Sequence, residues 1–355
     1  MSLAGMPNEE KHKTKKSDSQ WLGRIQTGRI APVVFCIFNR PDKTAKVFEA
    51  IRVAKPEVLL VVADGPRAGK PGEAESCRRT KDLVLSGIDW DTRVLTNFSE
   101  TNLGCRKRIS SGLTWAFEQV EEAIILEDDC LPDPTCFRYC TELLEYYRHD
   151  TRVGLIGSNN FQPQPMPLET SYYFSKYGHI WGWASWRRAW KLYDLEMTLW
   201  PELRDSGWLE GMFPRPEHSL YWRQIFDRVW RGEIDTWDYQ LAFSLWSQNM
   251  ISIVPRANLV SNIGAGQDAT HTQKVDPRAH ALPTVPMSFP LSHPKHKAIH
   301  HKADLYSQMT HYGEAWPPPP PKSYTIPARL GRMGRKLRRH IVAPFRKSGA
   351  AKPYG

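Results

Sequence analysis

The chain has 355 residues, 41% of them hydrophobic, with a formal net charge of +10. No apolar run is long enough to cross a bilayer. The cysteines Cys36, Cys77, Cys105, Cys130, Cys136 and Cys140 are too sparse for a disulfide scaffold and lack the paired spacing of structural zinc, so they read as free thiols. Basic residues crowd the ends, at Lys11, Lys13, Lys15 and Lys16 and again from Arg329 to Lys347, with no nucleic-acid recognition motif beside them. The first thirty residues lack the apolar centre of a secretory signal, which makes the cytoplasm the expected address.

Residues 1–30 read as a flexible basic leader. Val33 to Phe38 is a continuous apolar run suited to a buried parallel strand, and Asn39-Arg40-Pro41 opens a helix that buries Thr44, Val47, Phe48 and Ile51. A second strand spans Val58 to Ala63 and ends on the turn signal Asp64-Gly65-Pro66. A polar stretch through Arg78 and Arg79 leads, by way of a helix, to a short strand near Val94. Ile109, Leu113, Ala116, Phe117 and Val120 recur at helical spacing, and Ala123 to Leu126 is a short buried strand with Glu127, Asp128 and Asp129 at its carboxyl end. Leu131-Pro132-Asp133-Pro134 turns into a helix with Phe137, Cys140, Leu144 and Tyr147 on its apolar face. After Val153 to Ile156 the pattern becomes rich in tryptophan and glycine. Two further helices carry Trp222, Ile225, Phe226 and Val229, then Trp237, Leu241 and Leu245, before a strand at Ile251 to Val254.

This alternation predicts an α/β domain over residues 31–275, built on an open, mostly parallel sheet whose ligands sit beyond the strand carboxyl ends. Residues 276–328 read as a proline- and histidine-rich wrap or linker, and 329–355 as a basic amphipathic tail. That tail suits either an anionic membrane interface or docking on its own domain.

The acidic triplet concentrates charge that a divalent cation would offset, although a solvated strand end with Asp128 or Asp129 as a helix cap explains it equally well. Gly178 to Trp186 holds indoles that could pack on sugar C–H faces or form a hydrophobic subcore.

Several ordered features resemble nucleotide-sugar-dependent glycosyltransferases of the GT-A fold, in particular the N-acetylglucosaminyltransferase I family and its bacterial relatives. They are Pro32-Val33-Val34-Phe35 through Asn39-Arg40-Pro41, Asp64-Gly65, Ile125 to Asp129, Gly182-Trp183 and Trp237-Asp238. The resemblance implies a GT-A-like, Rossmann-related domain that moves a sugar from a nucleoside diphosphate donor, UDP-GlcNAc favoured, to a glycan or lipid-linked saccharide with inversion. It implies Mn2+ or Mg2+ held by Asp129, with His271 as a second ligand or an ordinary surface histidine. Arg40 would approach the donor phosphates or form a surface ion pair, and Asp64 would bind the base or serve its turn alone. Glu127, Asp128 and Trp183 fall on the donor side. Asp238 would be the general base or a helix cap, and Tyr239 stands where some relatives carry a second acid. The absence of an amino-terminal anchor in this sequence speaks against Golgi residence, leaving a cytoplasmic enzyme of polysaccharide biosynthesis, peripheral at the inner face of a membrane. A nucleotide- or carbohydrate-binding module and a sugar nucleotidyltransferase are the alternatives.

Overall fold

Five apolar residues in a row, Val33–Ile37, form β1, and all five are buried. A strand covered on both faces needs apolar side chains at odd and even positions alike, which explains why this segment shows no alternation. The computed structural model describes residues 28–163, 165–213, 215–264 and 281–313, and all of these belong to one compact unit. The leader up to residue 27, His271 and the tail 329–355 lie outside the described residues.

β1 runs through Arg40 into α1 (Pro41–Ala54), with proline in its first turn and Lys55 closing it in the left-handed conformation. There follow β2 (Val58–Ala63), α2 (Glu73–Ser86), β3 (Arg93–Phe98), α3 (Gly104–Gln119) and β4 (Glu122–Glu127). β2 and β4 flank β1 in parallel, placing Cys36 opposite Val62 on one side and Glu127 on the other. β3 pairs only with β2, and its mixed polar sequence and partial exposure fit an edge strand. From β1 the chain steps outward to β2 and β3, then returns to β4 on the opposite flank. The strand order therefore reverses between β1 and β4, and the carboxyl ends of strands at such a reversal are where open α/β sheets bind ligands.

Beyond β4 lie β5 (Cys130–Pro132), α4 (Thr135–Tyr146), β6 (Val153–Gly157), β7 (Tyr172–Ser175) and β8 (Trp183–Trp186). The chain continues through α5 (Arg187–Trp190), α6 (Trp200–Leu203), α7 (Trp208–Met212), α8 (Pro216–Trp230), α9 (Asp238–Ser247), β9 (Ile251–Pro255), β10 (Val260–Asn262) and α10 (His301–Ser307). The main sheet has eight strands in the order β3-β2-β1-β4-β8-β6-β9-β7, with β8 and β7 antiparallel to their neighbours. β5 and β10 form a separate two-stranded ribbon. The expected α/β class, a mostly parallel sheet flanked by helices, is the one that forms.

One face of the sheet packs on α1 and α4, the other on α3 and α9, and a third cluster gathers Tyr177, Trp200, Trp222, Phe226, Phe243 and Trp246 around α8 and α9. Helix α9 belongs to two of these clusters, with Leu241 and Leu245 facing the sheet while Phe243 and Trp246 face the aromatic cluster. Its first residue, Asp238, is thereby held by packing on two sides.

Residues 281–313 lie against this body. Met287 and Leu291 are buried in the larger core, and backbone N–H groups of Val285 and His300 donate to Asn258 (2.8 Å) and Phe174 (2.8 Å). No helix among the described residues is long and apolar enough to cross a membrane.

Candidate active site at the β1/β4 crevice

Arg40 follows β1 and the acidic triplet ends β4, so the neighbouring strands bring them together across 88 positions of sequence. The Arg40 guanidinium donates to both carboxylate oxygens of Asp128, with Nε to Oδ2 at 3.3 Å, and its Nη2 reaches Asp129 Oδ2 at 2.9 Å. Burial works against the charge on Arg40, and the two aspartates more than restore it, raising its pKa further. Burial likewise pushes the Asp128 carboxyl up, against the lowering influence of Arg40. Asp128 is almost fully enclosed, while Asp129 keeps partial exposure and, among the described residues, its Oδ1 meets the weak Cys130 thiol alone, at 3.6 Å.

The β5–β10 ribbon closes one wall. The Asp129 carbonyl accepts from Ile263 N at 2.8 Å, Asn262 Oδ1 accepts from Gly264 N at 2.8 Å, and Lys43 Nζ donates to the Gly264 carbonyl at 3.1 Å. A Cβ at Gly264 would overlap Asp129 Oδ2, so this position has to be glycine for the carboxylate to stay where it is. Lys43, Asn262 and Gly264 were not among the expected site residues. Only the register of β10 on β5 brings the last two to Asp129, and a three-residue strand carries little sequence signal.

Paired residues on a parallel ladder share a face, so Glu127 points with Cys36 toward α3 and α9, and Asp128 points away from them toward Arg40. Glu127 is half-buried, and its carboxylate makes no hydrogen bond among the described residues. Burial first, then the charges of Asp129 and Asp128, push it up to about 8, with Asp238 adding to the rise. Asp238, the first residue of α9, thus lies within the electrostatic reach of the triplet. Its Oδ1 accepts from the Thr236 hydroxyl and from Tyr239 N (2.9 Å), which fixes the rotamer. Its Oδ2 has no hydrogen-bond partner among the described residues. The N-cap of α9 is Trp237, so Asp238 stands as the first helical residue, one of its oxygens holding the start of the helix and the other unengaged among the described residues.

Asp64 sits at the end of β2 with both oxygens fully used by the chain. Oδ1 accepts from Gly65 N (2.9 Å) and Leu103 N (2.9 Å), and Oδ2 from Asn102 Nδ2 (3.0 Å) and Gly104 N (3.2 Å). Burial pushes its carboxyl up, offset in part by those N–H groups. Asp64 therefore anchors the turn that starts α3, and its acceptors are already taken. Asp64→Ala is expected to strand several buried N–H groups and cost about 2–4 kcal/mol of stability, read as a shifted denaturation midpoint.

Trp183 is buried in β8, its ring 5.8 Å from Trp237 and 6.3 Å from Trp190. Its body is core, while Trp181 just before the strand is only half-buried, with rings of Phe161 and His311 at 5.2 and 6.4 Å.

No group of three or more His, Cys, Asp or Glu that could hold a metal occurs among the described residues. Among the described residues the site offers Asp129 Oδ1 as a hard-oxygen ligand beside a positively charged Arg40, with the Glu127 carboxylate close in sequence. That set fits Mg2+ or Mn2+ arriving on a diphosphate, since such ions are commonly bound by one or two carboxylates plus substrate phosphates and water. It does not fit a resident ion caged by protein alone.

The sequence matches no protein-family model and no curated protein. Among solved structures the chain is similar to 4-diphosphocytidyl-2C-methyl-D-erythritol synthase from Anaerococcus prevotii, at 13% identity over 53% of this chain and 86% of that one, with a TM-score of 0.30. It is also similar to UDP-glucose pyrophosphorylase complexed with UDP-glucose, at 10% identity over 40% of this chain and 62% of that one, with a TM-score of 0.22. Neither is a glycosyltransferase of the family the motifs resemble, and at these scores the likeness carries no argument for an activity.

Proposed function

We propose that the protein is a nucleotide-sugar-dependent glycosyltransferase that transfers a sugar to a saccharide hydroxyl with inversion. The observation that supports this best is that Glu127 feels the charge both of the Asp128–Asp129 pair that Arg40 engages and of Asp238 at the start of α9. On one side Arg40 and Asp129 present a cation and a partly exposed carboxylate suited to a diphosphate and its divalent ion. On the other, Asp238 holds an unengaged carboxylate oxygen at the amino end of α9.

Arg40 would orient the donor diphosphate, and Glu127 would accept hydrogen bonds from donor hydroxyls. Mg2+ or Mn2+, held by Asp129 and the phosphates, supplies charge neutralisation for the leaving diphosphate. Asp238 Oδ2 would take the proton of the acceptor hydroxyl as its oxygen bonds to the anomeric carbon. The bond from that carbon to the diphosphate oxygen breaks, with its electron pair leaving on the nucleoside diphosphate. UDP-GlcNAc is the donor and a glycan or lipid-linked saccharide the acceptor favoured by the motif resemblance.

The test is turnover of a panel of nucleoside diphosphate sugars by the full chain with Mn2+ or Mg2+. The expected product is free nucleoside diphosphate, with turnover and metal-dependent donor binding both falling on the order of 100-fold in Asp129→Ala. Release of pyrophosphate from a sugar phosphate and nucleoside triphosphate would instead make the protein a sugar nucleotidyltransferase. Donor binding without turnover would leave a binding module.

A further inference from the structure

The segment after α10 makes a five-residue π turn, Gln308–Tyr312, a form that is rare and recurs at functional sites. It is held from below by Gln308, which is buried. Gln308 Oε1 accepts from the Tyr177 hydroxyl (2.6 Å) and Trp222 Nε1 (2.7 Å), and its Nε2 donates to the Gly313 carbonyl (2.6 Å). One turn earlier, buried Asp304 accepts from Ser175 Oγ (2.6 Å) and Lys176 N (3.1 Å). A carboxylate and an amide thus tie the strap to the end of β7, to the loop after it and to α8.

That docking fixes Tyr312. Its ring stacks on Tyr177 at 4.9 Å and meets Trp222 at 5.0 Å, and Trp222 in turn meets Tyr239, the neighbour of Asp238, at 6.0 Å. Tyr312 is half-buried, and its hydroxyl makes no hydrogen bond among the described residues. Burial raises its pKa, and Tyr177 and Asp238 add to the rise, so the phenol stays neutral within the electrostatic reach of the Asp238 carboxylate. A neutral hydroxyl with no hydrogen bond among the described residues, two ring contacts away from Tyr239 and so from Asp238, can donate to and accept from a hydroxyl of a polyol.

We propose that Tyr312 is a substrate-contacting residue that binds the hydroxyl-bearing saccharide acceptor beside Asp238. The proposal deepens and rests on the glycosyltransferase reading, because it assigns the acceptor side of that same crevice. It also gives the strap, distant in sequence from the α/β core, a part in the site.

The probes are methyl β-galactoside, methyl α-mannoside and methyl β-N-acetylglucosaminide, followed by saturation-transfer NMR on the full chain with UDP and Mn2+. Wild type is expected to bind at least one of them, with roughly tenfold weaker affinity in Tyr312→Ala, the equivalent of about one hydrogen bond and its ring contact. Tyr312→Phe keeps the ring and should lose less, and it guards against misfolding of the alanine variant. UDP affinity should match wild type in both. Absence of binding by wild type to all of the probes, or equal binding by Tyr312→Ala, overturns the proposal. Turnover of UDP-GlcNAc is measured on the same samples. Turnover with Tyr312-independent glycoside binding would sink this inference and keep the transferase, whereas Tyr312-dependent binding without turnover would keep the saccharide site and sink the transferase.

Discussion

Asp238→Asn is expected to reduce sugar transfer by about 10²–10⁴-fold while donor affinity stays close to that of wild type. Asparagine has nearly the same shape, and its side-chain oxygen can still accept from Thr236 and Tyr239 N as Oδ1 does now. The loop and the start of α9 should therefore stay in place. What disappears is the basicity of the other oxygen, the one with no partner among the described residues. The variant separates a helix cap from a base more cleanly than alanine, which would remove both at once. Near-normal transfer by a folded Asp238→Asn would exclude Asp238 as the base. Product stereochemistry adds an independent check, since direct displacement on an α-linked donor gives a β-linked product and an α-linked product would rule out inversion.

The parts of the fold that the sequence disclosed are those with strong local periodicity. β1, β2 and β4 are nearly uninterrupted apolar runs, and α1 and α3 repeat apolar residues at helical spacing, so these elements and the place of the acidic triplet at the end of β4 follow directly. β8 was hidden because all four residues of Trp183–Trp186 are buried between β4 and β6, and aromatic residues on both faces leave no alternation to read. The same burial makes Trp183 a core residue. A Trp-Gly-rich segment read in isolation does not reveal which indole lies in the strand and which precedes it.

Asp64 shows a different limit. An Asp-Gly turn at a strand end suits ligand binding and loop anchoring alike. The choice depends on Asn102, Leu103 and Gly104 approaching from nearly forty residues away to fill its oxygens. Arg40 follows β1, as its place in the sequence indicates. Its engagement with Asp128 on both oxygens depends on the register between β1 and β4. The contribution of residues 281–313 had no local signal, because single buried side chains such as Gln308 and Asp304 dock that strap, and no apolar stripe marks them.

Glu127→Gln is expected to stabilise the ligand-free protein at alkaline pH while impairing its activity. The Glu127 carboxyl is raised from an ordinary 4.5 to about 8, chiefly by burial and by the neighbouring aspartate charges. An upward-shifted acid has the opposite sign to a salt-bridged one. Below its ordinary value the folded and unfolded chains both hold the proton, and the group imposes no penalty. As pH climbs from about 4.5 to about 8 the unfolded chain releases the proton first, so the folded state loses stability through this window. Above it the folded protein carries the full cost of a charged, half-buried carboxylate beside two others. Glutamine cannot ionise and escapes that cost. Thermal melts without nucleotide or divalent ion should therefore show similar melting temperatures for the two proteins near the acid end, with the variant pulling ahead as pH rises through the window. A difference that stays constant across the range would mean that Glu127 does not titrate as its surroundings imply. On the proposed glycosyltransferase reading, the same substitution replaces one carboxylate oxygen offered to donor hydroxyls by an NH2 group and removes one negative charge near Asp129, so donor turnover should fall as stability rises. Stability and activity moving in opposite directions at one residue is the behaviour expected of a charge maintained for ligand binding, because a residue serving only the fold would lose both together.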